Sequence, residues 1–308
     1  MSFIHQPVLT VEVIRALQPK PGGRYVDGTL GQGGHAVEIL RASTPTGWLY
    51  GLDRDSGSVA TARQRLAEFT GRFELRVGNF AEVDQWIARE SVDGVLMDLG
   101  ISSWQLDDPE RGLSFQADGP LDMRMNQGQE LTAAKLVNEL GHEELANIFW
   151  ELGGEENSRR IARAIEHDRG LQRFERTLQL AGLIERIVPR GGKKAHPATK
   201  VFQALRIAVN DEIGSLKRGL EAALKILIPG GRLAVITFHS LEDRVVRDYG
   251  RRLSRDYEPG NVIDTPELRR PRPAQVKWVE RKAIQPGDDE IKFNPRARSA
   301  QLRVMEKI

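Results

Sequence analysis

The sequence predicts an α/β fold in which an open, mostly parallel sheet is interrupted by a helical insertion, and three observations predict it. First, short apolar runs alternate with amphipathic stretches up to Gly100: Arg24–Asp27, Trp48–Asp53, Phe73–Val77 and Val92–Asp98 read as strands, and residues 33–41, 56–69 and 81–89 as helices. Brief apolar runs separated by helical patterns are βαβ units, whose sheet is covered by helices on both faces. Second, the alternation stops at Gly100. Residues 101–130 are rich in Asp, Gly, Pro and Ser, and 133–140, 143–152, 156–167 and 178–188 then carry helical spacing with no strand between them. Third, RLAVITF at 232–238 restores the strand pattern, and two closing strands at 275–283 and 300–306 lie near enough in sequence to pair antiparallel.

The remaining elements follow from their punctuation. A helix over 8–18 is closed by Pro19, Pro21, Gly22 and Gly23, residues that break regular structure. GGKKAHP at 191–197 is a breaker loop whose basic turn is expected to be solvated; a long helix over 199–227 runs until Pro229-Gly230-Gly231 stops it. A helix over 241–253 precedes a Pro/Arg-rich connection at 258–273. The chain thus reads as a discontinuous α/β domain, 1–105 with 206–308, and an inserted helical domain, 106–205, of ordinary domain size.

Composition narrows the function. The 308 residues are 40% hydrophobic and 29% charged, as in a globular protein. No basic-plus-apolar leader opens the chain, and its longest apolar stretches, such as 233–238, fall far short of a membrane span; a cytoplasmic location without membrane contact is expected. The absence of cysteine excludes disulfides, thiolate metal sites and a thiolate nucleophile. The six histidines are scattered with no H-x-x-x-H pair, so no metal is expected. Net charge is only +2, yet residues 244–308 hold 16 Lys/Arg against 10 Asp/Glu. A basic end on a near-neutral body suits either a polyanionic partner or a solvated surface.

The chemistry should lie at the strand ends, because ligands of open parallel sheets bind outside the carboxyl ends of the strands. VDGTLGQGGH at 26–35 places a glycine turn behind the first strand, where Gly31, Gly33 and Gly34 let backbone N–H groups approach a ligand at the next helix N-terminus. Asp53, about 20 residues on, is spaced to accept both ribose hydroxyls of a nucleotide. Phe80 offers a flat apolar face for adenine, and Asp98 stands where a reacting group would lie. The turn also fits the G-x-G-x-x-A variant of the dinucleotide fingerprint through Gly31, Gly33 and Ala36, so an NAD(P)-dependent oxidoreductase is the rival reading. Three features favour S-adenosylmethionine. Asp27 precedes the glycines as D-x-x-x-G-x-G, where a carboxylate meets a cationic amino group. L-x-P-G-G-R-L at 227–233 leads into a strand, as in methyltransferases. The two closing strands suit a seven-stranded sheet of the class I S-adenosylmethionine-dependent methyltransferases, a Rossmann-like fold, better than an all-parallel one.

Bland readings compete at each position. Asp27 and Asp53 can be helix caps, Phe80 a core residue, and His35 an exposed loop residue contributing only its backbone. His239-Ser240 with Glu242 and Asp243 lacks a G-x-S-x-G elbow, and adjacent strand side chains face opposite ways. FHSLEDR is better read as a strand end and a cap, with Ser240 at the N-cap and Asp243 three residues on.

Longer motifs carry a closer likeness. HQPVL (5–9), VDGTLGQGGH, GLDRD (51–55), MDLGISSWQLDDPERGLSFQADGPLDMRM (97–125), HPATKVFQALRIAVNDEI (196–213), ITFHSLEDRVV (236–246) and NPRARSAQLRV (294–304) together resemble the RsmH (MraW) family over nearly the whole chain. Members methylate N4 of a cytidine in 16S ribosomal RNA. The resemblance implies S-adenosylmethionine as donor, the decoding-centre cytidine of the small ribosomal subunit as target, and cofactor contacts at Gly33, Gly34, His35, Asp53, Phe80, Asp98 and Gln105. Trp104 stands where the family has proline, and Gly153-Gly154-Glu155-Glu156 where it has Y-G-E-E. Asp98 or a neighbouring backbone carbonyl is the expected acceptor for an amino N–H of the target base, which must be unpaired or flipped out to reach it. The helical insertion and Arg269, Arg270, Arg272, Arg296 and Arg298 are expected to grip RNA phosphates. A cofactor-binding assembly factor without catalysis is the third reading.

Overall fold

The computed structural model describes residues 7–190, 196–260 and 264–308, so the basic turn GGKK at 191–194 lies outside the described residues. The chain divides into two compact units, one of residues 1–100 with 213–308, the other of 101–212. The boundaries fall outside the expected 105/106 and 205/206.

The first unit opens with α1 (Thr10–Leu17), β1 (Arg24–Asp27), α2 (Gly34–Ala42), β2 (Trp48–Asp53), α3 (Ser56–Arg65), β3 (Phe73–Val77) and β4 (Val92–Asp98). All four strands run where the apolar runs place them. Two helical segments differ. The helix expected over 56–69 ends as a 3₁₀ turn at Ala67–Phe69. The one expected over 81–89 is a 3₁₀ segment, Phe80–Gln85. Of its buried residues Phe80, Ala81 and Val83, Phe80 and Val83 stand three apart, the period at which 3₁₀ side chains eclipse.

The helical unit comprises α4 (Ser103–Asp107), α5 (Ala133–Glu139), α6 (His142–Glu151), α7 (Ser158–Arg169), α8 (Thr177–Ile187) and α9 (Thr199–Asn210). It has its own core, in which Leu136, Leu145, Phe149, Ile161, Ile165, Leu180, Ile184 and Leu205 pack together. The helix expected over 199–227 is broken at Asp211, which adopts φ 46°, into α9 and α10 (Glu212–Ile226). Asp is among the few non-glycine residues that tolerate that left-handed conformation. Asn210 secures the break: its Oδ1 accepts from the Met125 N–H at 2.8 Å and its Nδ2 donates to the Met123 carbonyl at 2.8 Å.

The first unit resumes with β5 (Leu227–Thr237), α11 (Ser240–Leu253), the short hairpin β6 (Tyr257–Glu258) and β7 (Arg270–Pro271), β8 (Val276–Trp278), α12 (Asp288–Phe293) and β9 (Gln301–Lys307). In β5 the Pro229–Gly231 stretch loops out between the pairs Val92↔Leu227 and Gly94↔Arg232. The strand expected over 275–283 is confined to Val276–Trp278; charged Glu280, Arg281 and Lys282 leave the ladder, and pairing with β9 returns only at Ile284↔Leu302. The sheet order is β3-β2-β1-β4-β5-β9-β8. Strands β1 to β5 are parallel, and β9 is antiparallel to both neighbours. This is the seven-stranded, mostly parallel sheet that the sequence predicts. Its order reverses between β1 and β4, which makes their carboxyl ends the topological switch point.

Alternation along the central strands feeds two cores. Tyr25 and Leu96 face the layer of α1, α2 and α3, while Val26 and Met97 face the layer of α10 and α11. Among the described residues no helix is long and apolar enough to cross a membrane. Leu96 is fully buried in β4, so Leu96→Ala removes contacts on the strand that carries Asp98. It is expected to lower stability by about 3 kcal/mol, read as a drop in the urea midpoint with an unchanged fold by circular dichroism.

Candidate functional site

The site is assembled where β1, β2 and β4 end. Leaving β1, Gly28 N–H donates to the Leu96 carbonyl at 2.9 Å and Leu30 N–H to the Leu52 carbonyl at 2.8 Å, pinning the turn to both neighbouring strands. Gly33 caps α2 at φ 78°, and a Cβ there would lie 3.3 Å from Ala62. Left-handed backbone and crowding together demand glycine. Thr29, which the motif reading passed over, ties the turn to β4: its Oγ1 accepts from the Asp98 N–H at 2.6 Å, and its own N–H donates to Asp27 Oδ1 at 3.2 Å. A hydroxyl two residues after the acid in D-G-T was the available signal.

Asp53 accepts from the Gly31 N–H at 2.8 Å through Oδ2 and from the Asp55 N–H at 2.9 Å through Oδ1. It is therefore not the cap of α3; Asp55 is, accepting from Gly57. Each Asp53 oxygen keeps a lone pair for a hydroxyl donor. Burial raises its carboxyl above the usual range despite those two backbone donors.

Asp27, His35 and Asp98 form the centre. Asp27 is 1% exposed, and its Oδ2 has no hydrogen-bond partner. Burial pushes its carboxyl up to about 7, against the pull of His35 and the Thr29 N–H. His35, expected as an exposed loop residue, is instead 5% exposed, with Nε2 3.5 Å from Asp98 Oδ2. Neither imidazole nitrogen nor Asp98 Oδ1 has a hydrogen-bond partner of good geometry. Orphaned buried polar atoms are rare in native proteins and call for an explanation. The carboxylate oxygens are what a cationic ligand would satisfy: an ammonium group can donate to Asp27 Oδ2, and diol hydroxyls to Asp53. The residues present fit S-adenosylmethionine.

Phe80 lies beside this centre, but its ring is largely spoken for. A Cβ on Gly219 would fall 2.4 Å from Phe80 Cδ2, so α10 packs directly on the ring, and the Arg54 guanidinium stands 5.9 Å from its centroid. Asn79 sets it there, accepting from the Ala81 N–H and donating to Ser215 Oγ at 3.2 Å. Gln105 belongs to the other unit, where it is buried and its Oε1 accepts from the Ser102 N–H at 3.1 Å, closing a capping box on α4. Within that unit Trp104 stacks under the Arg111 guanidinium at 5.7 Å.

FHSLEDR caps a helix, as its pattern suggests, but one residue earlier than expected. His239 is the N-cap and Glu242 completes the box, leaving Asp243 to pair with Arg303 at 2.6 Å. Of the five arginines expected to grip phosphates, Arg269 is held by Asp264 at 2.8 Å and Arg272 faces Glu258 at 3.4 Å. Arg270, Arg296 and Arg298 are exposed.

The raised Asp27 carboxyl fixes a pH dependence. Its folded value of about 7 lies above its unfolded value near 4, so the folded state holds a proton that the unfolded state has released between those limits. The stability it lends is full at low pH and lost as pH rises from about 4 through about 7. Asp27→Asn cannot lose that proton, so ligand-free wild type should melt progressively lower relative to Asp27→Asn as pH rises from 5 to 8 in paired thermal scans.

Comparison with known proteins gives the chain its relatives. The model of the MraW methylase family matches residues 2–308. A protein called ribosomal RNA small subunit methyltransferase H from Geobacter sulfurreducens is 50% identical over 315 residues, covering all of both chains. Its namesake from Paramagnetospirillum magneticum is 48% identical over 97% of this chain and 94% of its own. A third, from Syntrophotalea carbinolica, is 48% identical over 99% and 98%. Matched by that model over residues 2–308 and akin to these relatives over nearly its full length, the chain belongs to the MraW methylase family.

Proposed function

We propose that this protein transfers a methyl group from S-adenosylmethionine to the exocyclic N4 of a cytidine in 16S ribosomal RNA, the C1402 site of its family, working on the small ribosomal subunit in the cytoplasm. The single observation that carries this reading is the meeting of Asp27, Asp53 and Asp98 at the ends of β1, β2 and β4 around the Gly31–Gly33 turn. Family membership sets aside the oxidoreductase alternative, and the antiparallel β9 agrees.

The cofactor supplies an electrophilic methyl group on a sulfonium. The chain's residues supply position. Asp27 holds the cationic amino end through its unpartnered Oδ2, Asp53 holds the ribose diol, and the backbone at Gly33, Gly34 and Phe80 lines the adenosyl path. Gln105 we place at the cofactor on the family resemblance alone. Cytosine's amino lone pair is delocalised into the ring, so the nitrogen must be oriented toward the methyl carbon within near-attack distance. Asp98, 23% exposed at the end of β4, accepts one amino N–H, which localises the lone pair, and afterwards takes the proton that nitrogen sheds. We assign RNA reading to the helical unit, where Arg159, Arg160 and Arg163 are exposed on α7, together with Arg270, Arg296 and Arg298.

Wild type is expected to melt higher with S-adenosylmethionine and unchanged with NAD, since only a ligand of the folded state stabilises it. It should also incorporate labelled methyl into small-subunit RNA at cytidine N4. Asp53→Ala should weaken cofactor binding about tenfold to a hundredfold by calorimetry, as charge-assisted hydrogen bonds are worth about 1.5–3 kcal/mol. Stabilisation by NAD instead, or bound cofactor with no methyl incorporation, would refute the assignment. RNA affinity should fall linearly on a log–log plot against salt, and Arg159→Ala with Arg160→Ala should make that slope shallower; an unchanged slope removes α7 from the interface.

A further inference from the structure

His35 does more than lend its backbone to the glycine turn. It is the second residue of α2, turned inward, and the charged groups that face it come from three separate elements: Asp27 at the end of β1, Asp98 at the end of β4 and Glu290 on α12. All three are acids. Glu290 is anchored independently, its Oε1 accepting from the Leu9 N–H at 2.7 Å. Asp98 is the nearest, 3.5 Å from Nε2. The Nδ1 has no hydrogen-bond partner, and Asp27 Oδ2, in the same buried cluster, has none either.

A neutral imidazole there would leave the carboxyl groups of buried Asp27 and partly buried Asp98 and Glu290 without a facing cation, an arrangement that burial disfavours. Resting on the reading above, we propose that His35 is a positioning residue for methyl transfer: as an imidazolium beside Asp98 and Asp27, it holds the Asp98 carboxylate aimed at the target amine. The electrostatics agree. Burial alone would depress the imidazole, but Asp98, Asp27 and Glu290 outweigh it and raise its pKa. The proton balance is simple. The methylated nitrogen loses an N–H proton, the bonding pair returns to nitrogen, and an Asp98 oxygen takes the proton and later releases it to solvent through its exposed edge. His35 keeps its own proton throughout. Because it never exchanges with the substrate, it acts through Asp98.

The test reads His35 directly in the ligand-free protein. Nitrogen-15 spectra of the imidazole rings should show one histidine, missing in His35→Gln, that stays protonated at pH 7.5. Its midpoint should fall by at least one pH unit in Asp98→Asn, which leaves His35 in place should His35→Gln fail to fold. A ring neutral at pH 7, or a midpoint indifferent to Asp98→Asn, overturns the proposal. In turnover assays His35→Gln should cut kcat about tenfold or more and shift the pH profile of kcat, while the thermal shift with S-adenosylmethionine persists; unaltered kcat and profile also overturn it. Should wild type methylate no RNA, the functional assignment falls, yet the ring titration still decides whether the imidazolium bridge exists.

Discussion

The structure is organised around one costly arrangement: three aspartates buried or half-buried at neighbouring strand ends, with a single histidine among them. Buried charge is tolerated only where donors and counter-charges reach it. The glycine turn supplies those donors. Gly31 and Asp55 give their N–H groups to Asp53, Thr29 gives its own to Asp27, and the Thr29 hydroxyl receives the N–H of Asp98. Each of these bonds requires the backbone to leave β1 at one angle, and Gly33, with its left-handed φ and its proximity to Ala62, is what allows that angle. The placement of the three acids and the conformation of the turn are therefore one constraint.

What stays unsatisfied is as informative as what is satisfied. Asp53 is fully met by backbone and keeps spare lone pairs, which suits a residue that receives hydroxyls. Asp27 Oδ2 is left bare, which suits a residue that receives a cation. The sheet carries this asymmetry on its rigid central strands, β1 and β4, with β2 beside them, so the acids are fixed before any ligand arrives. Preorganisation of this kind is how a protein places charge without reorganising at the moment of reaction.

Much of this was legible in the residues. The four strands up to Asp98 have the boundaries that their apolar runs announce, because period-two burial against two helical layers leaves little latitude. The placement of the acids at 27, 53 and 98 was legible for the same reason: each is the polar residue that ends an apolar run, and each ends its strand. Three things were not. Asp211 breaks a continuous helical pattern, and only the paired bonds of Asn210 to residues 123 and 125, remote in sequence, show why. Phe80 looked like a platform for a base, yet Gly219, far along the chain, occupies its ring. His35 was read as a loop residue because a glycine turn precedes it. The acids that face it come from β4 and α12 as well as β1, which no local window contains.

The sheet's strand order also bears on how the chain comes together during synthesis. Residues 101–212 form a contiguous unit with its own core, whereas the sheet draws on both flanking segments and β9 must slot between β5 and β8. Until residues 301–307 are available, β5 has an unpaired rim, a surface that invites association with other chains. The growing polypeptide thus carries a finished helical body beside a half-built sheet, and completion of its catalytic unit waits on the strand that reverses direction.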